Sequence, residues 1–161
     1  MDNTLGDLLI SKSLTISVAE SCTGGLIGHL ITSVPGSSEY FMGGIISYSN
    51  QAKCDLLGVS PGTLDRYGSV SYQAAREMAT GVRERFKSNI GLSVTGIAGP
   101  DGGSIEKPVG TVFMGISFEK ESCSIKYLFR GNRSEIKQQT AETSLDNIKR
   151  YLNGDPFIPG I

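Results

Sequence analysis

Ser21, Tyr48 and Lys53 are the residues whose types suit nucleophilic chemistry in this chain. A serine hydroxyl attacks a carbonyl only when a base takes its proton. The one histidine, His29, lies eight residues after Ser21. On a helix that is about 12 Å of axial distance, at about 1.5 Å of rise per residue. The separation argues against a Ser-His-Asp triad. A lysine serves instead if desolvation lowers its pKa, and a tyrosine can relay the proton. Tyr48-Ser49-Asn50-Gln51-Ala52-Lys53 supplies both. A strand-end tyrosine and an ordinary surface lysine fit the same residues.

The segment Ala19-Glu20-Ser21-Cys22-Thr23-Gly24-Gly25 follows the β-branched run Leu14 to Val18 and precedes Leu26, Ile27, Leu30 and Ile31. Such a pattern reads as strand, turn, helix. The small residues let a ligand approach the backbone, and the free N–H groups of the helix start face it. A hydroxyl there can be a nucleophile, with N–H groups of Cys22 to Gly24 as its oxyanion site. Simple N-capping by Ser21 or Thr23 is the competing reading.

Gly96 to Gly103 holds four glycines, Pro100 and Asp101 directly after a predicted strand. A loop of this kind presents several N–H groups to a phosphate or carboxylate. It is neither a P-loop nor GxGxxG. Lys107, Arg66, Arg130 and Arg133 are the candidate cations for a phosphate. Glu20 and Asp101 could orient Lys53 or a substrate amide. Two carboxylates alone make a poor Mg²⁺ site, so no metal and no organic cofactor is expected.

These loops need a scaffold that brings them together. Hydrophobic periodicity gives helices over about 5–10, from the turn after Ala19 to about Thr32, over 51–57, a short piece after the turn Ser60-Pro61-Gly62, and over 72–86, with Asn50 and Ser71 as caps, and a last helix capped by Ser134 that reaches about Leu152. Strands are expected over 14–19, 40–48, 90–95, 110–118 and 123–129, the last two as an antiparallel hairpin. Alternation of helix and strand predicts an α/β fold, a three-layer α/β/α sandwich with a mixed, mostly parallel five-stranded sheet. Ligands on such sheets bind beyond the carboxyl ends of the strands. Glu20–Gly25, Tyr48–Lys53 and Gly96–Gly103 all leave strand ends, so they should converge on one edge.

The 161 residues suit one domain, drawn as 1–152, with 153–161 as a tail that is unstructured or faces a partner. A net charge of −1 gives no electrostatic case for nucleic acid or an anionic membrane. Cys22, Cys54 and Cys123 lack metal-ligand spacing and are an odd, sparse set, which suits a reducing compartment. A cytoplasmic protein is expected. Tyr40-Phe41-Met42 and the glycine-rich edges suggest a homo-oligomer, taken as a dimer.

Four motifs in order carry a resemblance. They are Ala19 to Gly25, Tyr48-Ser49-Asn50 with Lys53, Thr95-Gly96-Ile97-Ala98-Gly99-Pro100 with Gly102-Gly103, and Lys107-Pro108-Val109-Gly110-Thr111-Val112. Over about Leu5 to Leu152 the chain resembles the CinA C-terminal domain family, also called the nicotinamide-nucleotide amidase family. The resemblance implies a hydrolase that converts nicotinamide mononucleotide to nicotinate mononucleotide and ammonia in pyridine-nucleotide recycling. It implies Ser21 as nucleophile and Tyr48 and Lys53 as its activating partners. The implied substrate-binding set is Glu20, Cys22, Thr23, Gly24, Asn50, Thr95, Gly96, Ala98, Gly99 and Asp101. Larger members carry an N-terminal domain whose functions do not transfer. The rival expectation is a non-catalytic nucleotide-binding or regulatory domain, which needs the glycine loops but not Tyr48 or Lys53.

Overall fold

A computed structural model describes residues 3–161. The chain forms five strands and six α-helices in the described residues: α1 Leu5–Ser11, β1 Ile16–Glu20, α2 Leu26–Thr32, β2 Phe41–Ile46, α3 Asn50–Leu57, α4 Pro61–Tyr67, α5 Tyr72–Phe86, β3 Ile90–Gly96, β4 Thr111–Ser117, β5 Ser122–Leu128 and α6 Arg133–Asn153. The sheet order is β2-β1-β3-β4-β5. β1 is parallel to β2 and to β3, and β4 is antiparallel to both β3 and β5. One strand, β4, therefore runs against the other four. That is the expected mixed, mostly parallel sheet of a three-layer sandwich.

The pleat of β1 decides which helix lies on which face. Ile16 and Val18 join Leu9, Ile27, Leu92, Met114 and Ile148 in the core beneath α1, α2 and α6. Ala19 joins Met78, Val82 and Leu57 beneath α5 and α3. Alternate side chains of a strand face opposite ways, so all five residues of β1 are buried. Ser17 faces α5 as well, and its hydroxyl donates to the Val82 carbonyl at 3.2 Å.

Helix α5 lies close on β3 and β4. Gly91 faces the Ala79 carbonyl and Gly115 faces the Ala75 carbonyl, where an added Cβ would collide with backbone. Between them the Ser93 hydroxyl donates to the Ala75 carbonyl at 2.5 Å. Backbone atoms cannot rotate aside, so Gly115→Ala must push α5 off the sheet. We expect it to destabilise the fold by about 1–3 kcal/mol or more. Urea denaturation of the variant checks this, and an unchanged midpoint would contradict the close approach.

Several local expectations are corrected. Ser49, not Asn50, caps α3, because its hydroxyl accepts the Ala52 N–H. Asn132, not Ser134, caps α6, with Glu135 completing a capping box. Neither Ser21 nor Thr23 caps α2. Its N-cap position is Gly25, left-handed at φ 108° and without a side-chain cap. β2 stops at Ile46, and its register with β1 shifts at Ile16/Ser17.

The segment after α6 is packed rather than loose. Phe157 and Ile158 lie against the core. The Tyr127 hydroxyl donates to the Ile158 carbonyl at 2.8 Å, and Ile158 N–H donates to Asn147 Oδ1 at 2.7 Å. Ile161 N–H donates to the Lys126 carbonyl of β5 at 2.9 Å. Sequence reasoning missed this because the anchor, Asn147, sits on the buried face of a helix and looks like an ordinary polar residue. No described helix is long and apolar enough to cross a membrane.

Candidate active site

Ser21 stands on the first residue after β1, at the carboxyl edge of the three parallel strands β2, β1 and β3. Its own backbone is held on both sides. Ser21 N–H donates to the Val94 carbonyl of β3 at 3.1 Å, and Gly24 N–H donates to the Ser21 carbonyl at 3.2 Å.

Lys53 reaches this point from α3. It is the fourth residue of that helix, and its side chain runs back toward the sheet edge. Only 1% of Lys53 is exposed, and it is the bulkiest fully buried side chain among the described residues. Nζ lies 3.0 Å from Ser21 Oγ and 2.7 Å from the Ser47 carbonyl, with the Tyr48 carbonyl at 3.5 Å. Among the described residues, no carboxylate lies within 4.0 Å of it. An amine buried without a counter-charge loses stability as the cation. Burial therefore pushes the Lys53 pKa down, with a smaller opposing effect from the neighbouring Cys22.

A cleft of about 150 Å³ opens in front of the pair, lined by Ser21, Cys22, Tyr48, Lys53, Ser69, Val70, Thr95, Gly96, Ala98 and Arg133. Cys22 is the other conceivable nucleophile. Burial pushes its thiol up to about 12, so it holds its proton near neutrality and cannot act as a thiolate. The tyrosine differs from expectation. Tyr48 is 64% exposed, and its hydroxyl accepts from Arg133 Nη2 at 3.2 Å. Its backbone carbonyl, not its phenol, faces Lys53.

A family match decides the relationship: the CinA C-terminal domain model fits residues 1–152. The chain belongs to the CinA C-terminal domain family. A putative competence-damage inducible protein of Halothermothrix orenii is 48% identical over 153 residues, covering 94% of this chain and 37% of that protein. A CinA-like protein of Cyanothece is 51% identical over 154 residues, covering 93% and 36%. The chain thus spans little more than a third of the length of the curated relatives it matches. Among solved structures, a CinA superfamily protein of Klebsiella pneumoniae superposes with TM-score 0.90 at 26% identity, covering 93% of this chain and 94% of that one. A competence/damage inducible protein of Agrobacterium tumefaciens gives TM-score 0.87 at 40% identity, covering 92% and 90%.

Within this CinA domain the three motif loops do converge, but not all their side chains face the cleft. Glu20 is buried beneath the turn and accepts from Thr23 Oγ1 and from the N–H groups of Gly25, Ile27 and Gly28. It orients neither Lys53 nor a substrate amide, and its oxygens are not open to a cation. The same bonds occupy the hydroxyl of Thr23 and the N–H groups of the first turn of α2. That helix end is therefore not the oxyanion site, and Gly24 N–H is taken by Ser21. Among the described residues, the N–H groups of Cys22 and Thr23 have no backbone acceptor. Asn50 and Asp101 are exposed and stand off the cleft. Asp101 lines a separate shallow hollow with Pro100 and Gly102 to Ile105. Thr95 orders the wall, its hydroxyl donating to the Ser69 carbonyl at 2.8 Å.

Arg133 is the cation that reaches the cleft. Its Nη1 donates to the Gly99 carbonyl at 2.7 Å, which ties α6 to the glycine-rich loop. Lys137, one turn further along α6, approaches Gly24 and acts electrostatically on Cys22. Lys107 is occupied elsewhere: Nζ donates to the Tyr67 carbonyl at 2.9 Å. Arg66 lies over the Tyr67 ring at 6.0 Å. Ser69, Val70 and Lys137 went unseen in the sequence. Ser69 and Val70 sit in a short connector with no motif character. The spacing of Arg133 and Lys137 on one helix was the signal available for the basic rim.

Proposed function

We propose that this CinA domain hydrolyses the carboxamide of nicotinamide mononucleotide, giving nicotinate mononucleotide and ammonia. The observation that carries the reading is the contact between Lys53 Nζ and Ser21 Oγ at 3.0 Å inside a buried site. A neutral amine has two N–H donors and one lone pair. Ser47 and Tyr48 offer carbonyls to the donors, which leaves the lone pair for the Ser21 hydroxyl. This is a general base aimed at its nucleophile.

The steps follow from that pairing. Lys53 takes the Ser21 proton as Oγ bonds to the amide carbon. The carbonyl becomes an oxyanion beside the Ser21–Cys22 turn, where the Cys22 N–H has no backbone acceptor. The tetrahedral adduct collapses, the C–N bond breaks, and Lys53 returns the proton to the leaving ammonia. Water then gives its proton to Lys53 and attacks the acyl-serine, and the acid leaves as Ser21 regains its proton. No metal or organic cofactor enters any step. Arg133 and Lys137 give the cleft a cationic rim suited to a phosphate. Binding energy from that remote phosphate favours the nucleotide over free nicotinamide.

The test is ammonia release from nicotinamide mononucleotide by purified protein, with and without a chelator. Release that resists chelation supports the reading. Binding of the nucleotide without release would make the chain a binding module instead.

The pH dependence has a definite sign. Only neutral Lys53 can accept the serine proton, so kcat rises with pH and levels off once the amine is deprotonated. Burial lowers that pKa, so the midpoint falls below the usual lysine value of about 10.4. A rate that falls as pH rises through the neutral and alkaline range would count against Lys53 as the base.

A further inference from the structure

Glu20 is a buried carboxylate that the reaction steps leave unused. Only 2% of it is exposed, and its partners are all neutral. Oε1 accepts from the Thr23 hydroxyl and from the N–H groups of Gly25 at 3.2 Å and Ile27 at 2.9 Å. Oε2 accepts from Gly28 N–H at 3.0 Å. The N–H groups of Ile27 and Gly28 are the donors that a normal N-cap side chain would serve, and Gly25 has none to offer. The carboxylate thus caps α2 from five residues upstream, reaching across the turn that carries Ser21.

The backbone of Glu20 is fixed at the same time. It pairs with Ile46 of β2 and Val94 of β3, and its carbonyl accepts the Ser47 N–H at 2.8 Å. One residue therefore ties the centre of the sheet to the start of α2, with Ser21 to Gly24 held between the two anchors.

We propose that Glu20 is a positioning residue, whose internal cap of α2 holds the Ser21 turn so that Ser21 Oγ meets Lys53 Nζ. The inference rests on the Ser21–Lys53 reading for its kinetic consequence and on the hydrogen bonds alone for its structural one. A carboxylate is needed because four donors converge on two oxygens. In Glu20→Gln one oxygen becomes an NH₂ group, which faces a donor and leaves a buried N–H or O–H unpaired. The turn then relaxes, and a shift of about 1 Å at a reacting atom costs about 10²-fold in rate.

The experiment measures Glu20→Gln in two ways. Amide hydrogen exchange should quicken at Gly25, Ile27 and Gly28, while the amides of β1 and β3 keep their native protection. Ammonia release from nicotinamide mononucleotide should show kcat down about 10²-fold with KM little changed and the pH midpoint unmoved. A purely structural role would lower the melting temperature yet leave kcat per folded molecule intact. If Glu20→Gln does not fold, Thr23→Val removes one of the four donors and should give the same exchange pattern with a smaller fall in kcat. Native exchange at Gly25, Ile27 and Gly28 in the variant that folds, or native kcat, overturns the proposal. If the native chain releases no ammonia from this substrate, the functional reading falls while the exchange result still decides what Glu20 does.

Discussion

Ser21→Ala should abolish ammonia release from nicotinamide mononucleotide, by roughly 10⁴-fold or more, judged from what loss of a covalent nucleophile costs other hydrolases. The fold should survive. The Ser21 hydroxyl bonds to Lys53, and removing it leaves the Nζ contact to the Ser47 carbonyl in place. The backbone bonds of Ser21 to Val94 and Gly24 do not involve the side chain. The stability change should thus stay within about 1–3 kcal/mol, the cost of leaving the buried Nζ short of one partner. Calorimetry and a nucleotide-binding titration on the same sample separate lost chemistry from lost structure. Turnover near the native rate in a folded Ser21→Ala protein would remove Ser21 from the mechanism.

Lys53→Met should be nearly as damaging to kcat, by about 10²–10⁴-fold, the range for loss of a positioned general base. Methionine approximates the length of the lysine stem, so the cavity is small. Two effects on stability oppose each other. The Ser47 carbonyl loses a donor, which destabilises. A desolvated amine without a counter-ion is also removed, which stabilises. Active-site groups held in unfavourable surroundings commonly behave this way. Lys53→Arg should be no better than Lys53→Met, because a guanidinium stays protonated and cannot accept the serine proton. Ser21→Ala combined with Lys53→Met should be no slower than the slower of the two single changes, since the two residues act as one unit. Steady-state kinetics on the four proteins checks all of this. Multiplicative losses would mean that the two residues act separately.

Much of the site was legible because its geometry is written in backbone order. Apolar runs ending at Ala19 and Thr95, each followed by small residues, placed two loops at one sheet edge before any side chain was considered. Lys53 was legible as a candidate because it follows a strand end by less than two turns of helix. What sequence could not give was direction. Whether Lys53 points in or out depends on packing between α3 and the sheet, and the charged side chain of a buried lysine looks the same in sequence as that of an exposed one. Tyr48 shows the converse. It sits in the right place, but its ring swings outward to Arg133, so its carbonyl is what faces the amine. Glu20 differs from expectation for a related reason. Its neighbours in the motif suggested a substrate contact, whereas its carboxylate turns under the chain to meet donors up to eight residues ahead. A cap supplied from the preceding strand has no short-range sequence signature of the kind that marks Thr4 or Asn132.

The most direct measurement is the mass of the peptide containing Ser21 after the protein is mixed with nicotinamide mononucleotide and quenched in acid during turnover. A covalent adduct on Ser21, equal in mass to the nucleotide less ammonia, is the expected result. It should be absent from Lys53→Met quenched at the same time. Steady ammonia release with Ser21 unmodified, in rapid-quench samples spanning the first turnover, would mean that water attacks the amide directly and that Ser21 is not the nucleophile.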